Sequence, residues 1–368
     1  MTSIDGNTRS VPDYLEATAL LPVPPPAERL SFTGSGSEYF RIWIVNLLLT
    51  ILTLGIYSAW AKVRRMRYFY DSTRLAGATF DYHGNPVAIL KGRVVALLFL
   101  ASYNIAASYS ALMGLLMLVL VTLLGPWLAW KSLQFKLYNS SYRGIRFGFR
   151  GSAGKVYLTF LLLPVLAFLS AYLLAPFAHQ QIKKFQHEES RYGGTHFSFH
   201  AGAGSFYKAY LVGFLVAVAG VVVIAIGFSG MFAAIAKAGG LKRAGASVGG
   251  TLVFFILAIY LWMFTLFPVF LTMIQNLIWN STRLGEHRFK SEMRAGKMVF
   301  IVLTNILGIV LTLGLFIPFA QVRAMKYRIE SMTLVPQSSL DDFIADTQAV
   351  ASATGEGAAD LLDFDLSL

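Results

Sequence analysis

Long hydrophobic runs alternate with short polar segments along this chain. Six runs contain few or no charged residues: Tyr39–Trp60, Val94–Trp130, Val156–Phe177, Phe206–Ile235, Thr251–Ile274 and Met298–Phe319. About 20 apolar residues are enough to cross a bilayer as a helix. The run Val94–Trp130 is too long for one crossing and has a polar stretch between Ser102 and Ser110, so it predicts two helices. The pattern therefore predicts about seven transmembrane segments, within a range of six to eight.

The polar segments between the runs resemble one another. Four of them have a central Gly followed by aromatic residues, at alternate positions in the first three: Asp71–Gly84, Asn139–Gly151, Glu189–His200 and Asn280–Phe289. Alternation places the aromatic side chains on one face of a strand, and Gly permits the turn. The expected fold class is an all-α polytopic membrane protein, with about seven transmembrane segments in internal repeats joined by short basic β-hairpins.

Two ungapped comparisons indicate internal repetition. Residues 46–68 and 305–327 share 11 of 23 positions, including Leu-Thr-Leu-Gly and a following Arg-x-Met-x-Tyr. An offset of 117 residues also aligns Phe32 with Phe149 and Gly77 with Gly194. These matches predict the following organisation: a disordered lead over residues 1–31, a membrane domain over 32–335 and an acidic tail over 336–368. Within the membrane domain they predict repeats at about 32–148 and 149–288 and a final unit at 289–335.

The orientation of the hairpins poses a conflict. All four contain or adjoin Lys and Arg, so the positive-inside rule predicts that all four face the cytoplasm. That cannot hold if Tyr39–Trp60, Val156–Phe177 and Met298–Phe319 each cross the bilayer fully. The alternative is a re-entrant segment, since Gly55, Gly314 and the prolines Pro176 and Pro318 suggest a helix break. The 22-residue length of each run favours full crossing.

Composition and charge support membrane insertion. Hydrophobic residues make up 56% of the chain and charged residues 14%, against about a quarter charged in soluble domains. The net charge is +12, but residues 336–368 hold seven acids and no Lys or Arg. The excess cations lie beside the hydrophobic runs, which predicts anionic membrane lipids as partners and not nucleic acid. The chain has no cysteine, so it forms no disulfide.

Two sets of residues are candidates for a site. Asn46 and Asn305 are equivalent and lie inside hydrophobic runs, where they line a pathway or hydrogen-bond between helices. One arginine recurs shortly before a Gly in every hairpin: Arg74, Arg143, Arg191 and Arg283. These arginines bind an anion or lipid phosphate, or they hold the hairpins in place by bonding carbonyls or acids. The tail residues Leu340, Phe343 and Ile344 predict a short helix that docks on the basic hairpins.

Patterns for catalysis, cofactors and metals are weak. His196 and His200 share a strand face and His83 is the repeat-equivalent of His200, but no Cys or acidic ligand pattern accompanies them. A wet interfacial loop is the simpler interpretation. The sequence therefore predicts no catalytic residue, no cofactor and no metal, and leaves protein partners open.

Three stretches carry a specific resemblance: Phe32–Arg41, the Leu-Thr-Leu-Gly-Ile-Tyr-x-x-Trp-x-Lys-x-Arg core at Leu52–Arg64, and Asn280–Gly285. With them the chain resembles the YjgN-like family of bacterial inner-membrane proteins. The resemblance covers roughly residues 30–335 and leaves the acidic tail outside. It implies a multipass protein of the bacterial inner membrane and carries over no catalytic residues.

Two functions compete at this point. Transport of a small solute fits the repeats and the two asparagines, although few charges lie at membrane depth. A lipid-interacting or scaffolding role without transport fits the basic aromatic hairpins. An enzyme acting on lipid lacks a visible acid–base pair. Transport is the slightly favoured expectation.

Overall fold

A computed structural model describes residues 25–241 and 245–353. Most of the predicted lead, residues 1–24, lies outside the described residues, as do 242–244 and the end of the tail, 354–368. The described chain consists of paired helices separated by short strands. The helices form five consecutive pairs.

The helix bounds show two kinds of pair. The short pairs are α1 Gly36–Leu52 with α2 Ser58–Asp71, α5 Ala153–Leu169 with α6 Ala175–Glu188, and α10 Ala295–Leu311 with α11 Ile317–Glu330. The long pairs are α3 Pro86–Tyr109 with α4 Ala111–Tyr138, and α7 Ala203–Gly227 with α9 Gly245–Asn280, the latter joined through α8 Ser229–Lys237. Long and short pairs alternate along the chain.

Eleven strands form one antiparallel sheet. They are β1 Glu28–Arg29, β2 Ser31–Phe32, β3 Thr73–Leu75, β4 Ala78–Tyr82, β5 Ser140–Tyr142, β6 Ile145–Phe149, β7 Ser190–Tyr192, β8 Thr195–Phe199, β9 Thr282–Leu284, β10 His287–Ser291 and β11 Met332–Val335. The strand order runs from β1 through β11 and down to β2. Because only Leu30 separates β1 from β2, the two ends of this order meet and the sheet is nearly a closed barrel.

The predicted fold class is therefore wrong in two respects. The four predicted hairpins exist as strand pairs, but they are neighbours in one sheet and not separate connectors. Only four helices in the described residues are long and apolar enough to cross a membrane, within Pro86–Tyr109, Ala111–Tyr138, Ala203–Gly227 and Val248–Asn280. The expected count of about seven spans is not found.

Full crossing of the three shorter runs is also wrong. Strands from consecutive hairpins pair directly, as β4 with β5, β6 with β7 and β8 with β9. All hairpins therefore lie on one side, and each helix pair must leave the barrel and return to it. The hydropathy signal was misleading because one run, Tyr39–Trp60, joins the first helix, the turn and the start of the returning helix.

The turns at the tips of the short pairs satisfy their own backbone. The hydroxyl of Thr53 donates to Leu49 O (2.7 Å) and accepts from the Tyr57 N–H (2.9 Å). Thr312 makes the same two bonds in the fifth pair, at 2.7 and 2.9 Å. Gly55 has φ of 94°, in the left-handed region. Leu54 at this tip is 95% exposed, so an apolar tip without unpaired turn donors suits insertion into lipid.

The barrel interior consists of two rings of side chains, with one residue from each hairpin in each ring. The first strands contribute Leu75, Tyr142, Tyr192, Leu284 and Leu334. The second strands contribute Phe80, Phe147, Phe197 and Phe289, and Leu30 between β1 and β2 completes the ring. The helices adjoin one rim, called the helix rim, and the hairpin turns form the opposite turn rim.

A helix from the acidic tail closes the turn rim. This helix, α12 Leu340–Ala353, packs Leu340, Phe343 and Ile344 against the two rings. Asp341 pairs with Arg143 in the β5–β6 turn at 2.5 Å. The predicted docking of the tail on the basic hairpins is confirmed.

The tip turns generate a stability test. Thr53→Val removes the acceptor for the Tyr57 N–H and should destabilise the solubilised protein by about 1–3 kcal/mol, the cost of an unsatisfied buried donor. Thr50→Val is the matched control. The Thr50 hydroxyl donates to Asn46 O (2.6 Å), as the Thr53 hydroxyl does to Leu49 O, but it does not cap a turn N–H. Thermal and denaturant unfolding in detergent measure both. Equal losses in the two variants would argue against the capping role.

The barrel generates a topology test. Because the chain has no cysteine, an introduced thiol is the only group that a maleimide labels. Single substitutions Arg74→Cys, Arg146→Cys, His196→Cys and Arg288→Cys place one exposed thiol on each hairpin. All four should react with a membrane-impermeant maleimide from the same side of oriented vesicles. Tyr109→Cys, at the exposed far end of α3, should react only from the opposite side. Hairpins labelled from opposite sides would contradict the single barrel.

Candidate functional site

An apolar cavity of about 150 Å³ lies inside the barrel. The two rings line its wall, and α12 contributes Leu340, Phe343 and Ile344 at the turn rim. Trp279, at the end of α9, lines it from the helix side. The hydroxyls of the two ring tyrosines are engaged with the wall, since Tyr142 donates to Leu75 O (2.7 Å) and Tyr192 donates to Tyr142 O (3.0 Å).

One histidine lies where α12 meets the barrel. His287 is 1% exposed, and its ring centroid is 4.4 Å from that of Phe343. Its Nδ1 accepts a hydrogen bond from the Gln337 N–H at 3.3 Å. Burial lowers the pKa of His287, while the neighbouring Glu286 opposes that shift. The neutral imidazole is therefore the form that suits the closed barrel.

Five cations on four helices each lie within electrostatic reach of at least one other member of the set. We call them the cation cluster: Lys62 and Arg65 on α2, Arg93 on α3, Lys136 on α4 and Lys183 on α6. Arg93 also donates to the hydroxyl of Ser58. Burial lowers the pKa of Lys62, and the charges of Arg93, Arg65 and Lys136 lower it further. Burial and the charge of Lys136 likewise lower the pKa of Lys183. An anion bound between these cations would relieve their mutual repulsion.

The acids of the helices lie elsewhere. Within the bounds of α1 to α11 there are only four acids in the described residues: Glu38, Asp71, Glu188 and Glu330. Glu38 accepts from the Tyr68 hydroxyl at 3.2 Å. Burial and the charge of Asp81 raise the pKa of Asp71, while Arg67 and His83 oppose that shift. Glu188 and Glu330 pair with Lys184 and Lys326 on exposed helix surfaces. None of these four acids pairs with a member of the cation cluster.

The predicted hairpin arginines do not share one position. Arg74, Arg191 and Arg283 lie in the middle of the first strands, each next to an inward residue of the ring, so they belong to the outer face. Arg143 lies two residues later, in the turn, where φ is 46°. It donates to Ala76 O (2.9 Å) and to Asp341, and so connects two hairpins to α12.

Asn46 and Asn305 are buried between the two helices of their own pairs. Each accepts from an arginine of the returning helix: Arg64 at 3.3 Å and Arg323 at 3.0 Å. Asn305 also donates to Ala320 O at 3.1 Å. The geometry matches the helix–helix alternative, and their use in a pathway stays a prediction.

The histidines considered from sequence are dispersed. His83 contacts the Ser141 hydroxyl at 2.8 Å and His200 contacts that of Ser198 at 3.1 Å. Within residues 25–241 and 245–353, no three His, Asp or Glu residues approach closely enough to hold a metal ion.

Sequence reasoning missed the cation cluster, although a signal for it exists. Lys62, Lys136 and Lys183 precede their ring residues Leu75, Tyr142 and Tyr192 by thirteen, six and nine positions. In increasing order, the three offsets are separated by three and by four positions, the spacing of residues on one helix face. Counting back from the ring residue of each hairpin therefore places all three lysines on equivalent faces.

The fold defines a multipass membrane protein whose helix pairs surround the base of a β-barrel. The chain belongs to the family described as "Bacterial protein of unknown function (DUF898)", whose model matches residues 27–361. The match extends past the expected limit at residue 335 and includes α12, so the tail helix is part of the family's shared region.

Similar curated proteins are named "Inner membrane protein YjgN". The protein from Salmonella typhimurium (strain LT2) is 33% identical over 144 residues, which cover 39% of this chain and 36% of that protein. Those from Escherichia coli O157:H7 and strain K12 are 32% and 33% identical, each over 38% of this chain and 36% of the relative. The matched stretch is thus about a third of each relative's length. No solved structure matches significantly. These relatives support the predicted YjgN-like identity and the inner-membrane location.

The buried histidine generates a pH prediction. With α12 docked on the barrel, the pKa of His287 lies below its ordinary value of about 6.5. Protons therefore bind His287 better when α12 has left the barrel and the imidazole is exposed. Docking of α12 should therefore be complete above about pH 6.5 and weaken as the pH falls below it. Anisotropy of a dye on Asp342→Cys, an exposed position on α12, should drop between pH 7.5 and 5.0. The same label with His287→Gln should show a flat profile; an unchanged drop would exclude His287 as the sensor.

Proposed function

We propose that the protein binds the phosphate head group of an anionic lipid at the cation cluster. The carrying observation is a set of five cations on four helices that influence one another, while the four described acids within α1 to α11 have other partners. Lys136 lies two residues from the end of α4 and Lys183 five residues from the end of α6, both close to the helix rim. This depth suits a lipid phosphate in the leaflet next to the barrel. Lysine and arginine near a membrane surface each contribute about 1 kcal/mol to binding anionic lipid.

The arrangement of the helix pairs supports lateral entry of lipid. In the described residues the two long pairs, α3–α4 and α7–α9, make no extensive contact with each other. Short pairs lie between them: α6 packs on α7, and α2 packs on α3. A 17-residue helix such as α1 is about 25 Å long, whereas the 28-residue α4 is about 42 Å long. Beyond the tips of the short pairs, the space between the long pairs is open to lipid.

This openness disfavours solute transport, the expectation from sequence. A solute needs a polar pathway enclosed by protein across the whole bilayer. In residues 25–241 and 245–353 the five pairs lie side by side next to the barrel, and beyond the tips of the short pairs only the two long pairs continue. The internal repeats are a separate feature. The alternation of long and short pairs supports internal duplication, in which the first, third and fifth pairs are equivalent.

We infer that the barrel faces the cytoplasm. Its outer face carries exposed arginines, among them Arg74, Arg146 and Arg288. The positive-inside rule favours that side for short basic segments next to spans. The lipid site would then lie in the cytoplasmic leaflet.

Lipid binding is tested with a charge-matched pair of double variants. Lys62→Gln with Lys183→Gln removes two members of the cation cluster. It should weaken phosphatidylglycerol binding by about tenfold to thirtyfold, from roughly 1 kcal/mol per lysine. Lys184→Gln with Lys326→Gln removes the same charge from exposed ion pairs and should leave binding within about twofold. Native mass spectrometry with titrated lipid measures both.

Further arms of the same titration separate the alternatives. Phosphatidylethanolamine should compete poorly. Inorganic phosphate that displaced phosphatidylglycerol at equal concentration would point to a soluble anion as the ligand. Equal affinities of the two double variants would refute the lipid site.

A further inference from the structure

The cavity in the barrel is an unusual feature for a protein interior. Interiors pack at the density of organic crystals, and a void forfeits dispersion contacts for every atom that lines it. Here the wall is built from equivalent positions of the hairpins, so the void is a consequence of the barrel's circumference and not of one misfitting side chain. The eleven-stranded barrel is wide enough to leave space between side chains on opposite sides of each ring, and α12 closes this space only at the turn rim.

The four phenylalanines of the second ring are spaced regularly around the cavity. Phe80 and Phe147 have ring centroids 6.5 Å apart and an interplanar angle of 17°. The next neighbours are Phe147 and Phe197 at 6.5 Å and 29°, and Phe197 and Phe289 at 6.2 Å and 20°. Four nearly parallel phenyl rings side by side form a smooth apolar wall. Such a wall suits a flat or linear hydrocarbon.

Both tyrosine hydroxyls at the wall, and one nitrogen of His287, are already bonded. Tyr142 and Tyr192 donate to backbone carbonyls of the neighbouring hairpin, and the Nδ1 of His287 accepts from Gln337. A water molecule needs two to four polar partners to be held in a cavity. An apolar cavity of about 150 Å³ lined by Leu, Ile and Phe stays dry and accepts benzene, which is an established example from another protein.

We propose that the barrel is a binding chamber for an apolar hydrocarbon group of about the size of a benzene ring, with α12 as its lid. The contacts that hold the lid include three apolar side chains, Leu340, Phe343 and Ile344, and the buried Thr347, whose hydroxyl lies 3.5 Å from that of Thr195. They also include the pair of Arg143 with Asp341, whose side chain is 84% exposed, and pairs exposed to this degree add little stability. Exchange of a ligand requires these contacts to open and form again. This site is separate from the cation cluster and does not depend on lipid binding there.

The test is photolabelling of the full chain in nanodiscs with phenyldiazirine, whose carbene inserts into nearby C–H bonds. Adducts should appear in two kinds of peptide. Those from α3 and α7 report contact with the bilayer and serve as the internal control. Those from residues 140–149 and 282–291, in the barrel, report entry into the chamber. Benzene should compete only for the barrel adducts; hexane and octanoate distinguish a ring from an acyl chain as the preferred ligand.

Variants that fill or open the chamber complete the test. Leu284→Phe and Leu334→Phe add volume to the wall at two different hairpins and should each reduce barrel labelling at least fivefold, with helix labelling unchanged. Two variants guard against a fold defect in one, which an altered melting profile would reveal. Phe343→Ala loosens the lid and should speed barrel labelling. Absence of barrel adducts in the parent protein, or adducts that persist in both filled variants, would overturn the proposal.

Discussion

Closure of the sheet is the constraint on which the rest of the structure depends. A strand edge presents a row of unpaired backbone groups, and a barrel removes that edge. In this protein each hairpin pairs with the next one along the chain, and β11 pairs with β1 at the start, Glu28 opposite Leu334. Each helix pair is therefore anchored at both ends to one rim. An even number of crossings, or a re-entrant turn, is the only path that returns the chain to its barrel.

That constraint explains which parts of the fold could be predicted from sequence. The alternation Phe197-Ser-Phe199 identifies a strand and its face, because side chains alternate with period two. It does not identify the partner strand. Phe199 is opposite Thr282, more than eighty residues away, and nothing in either segment encodes that register. The hairpins were therefore predictable one by one, and their union was not.

The re-entrant pairs and the cation cluster were hidden for related reasons. A hydropathy window sees Leu52, Leu54 and Ile56 as part of a span, and it cannot distinguish a tip from a passage. The stronger signal was Lys62 with Arg64 and Arg65, which follow that tip within a few residues and must return to a polar environment. The cluster itself draws Lys62, Lys136 and Lys183 from three pairs. Only the common rim brings them together, so their equivalent spacing is visible only after the ring residue of each hairpin is known. By contrast, the tail helix was predictable because Leu340, Phe343 and Ile344 lie on one helix face in an acidic segment.

The pairing of β11 with β1 also has a consequence for biosynthesis. The last strand of the barrel is made some three hundred residues after the first, so the sheet cannot close until residue 335 has left the ribosome. Until then β1 has no partner at its outer edge, and the growing sheet is an open arc on the membrane surface. The four apolar spans leave the ribosome earlier than β11 and enter the bilayer with the arc still incomplete. Assembly in the membrane thus precedes closure, and a ribosome stalled before β11 leaves a nascent chain with two exposed strand edges, which are templates for pairing with other chains.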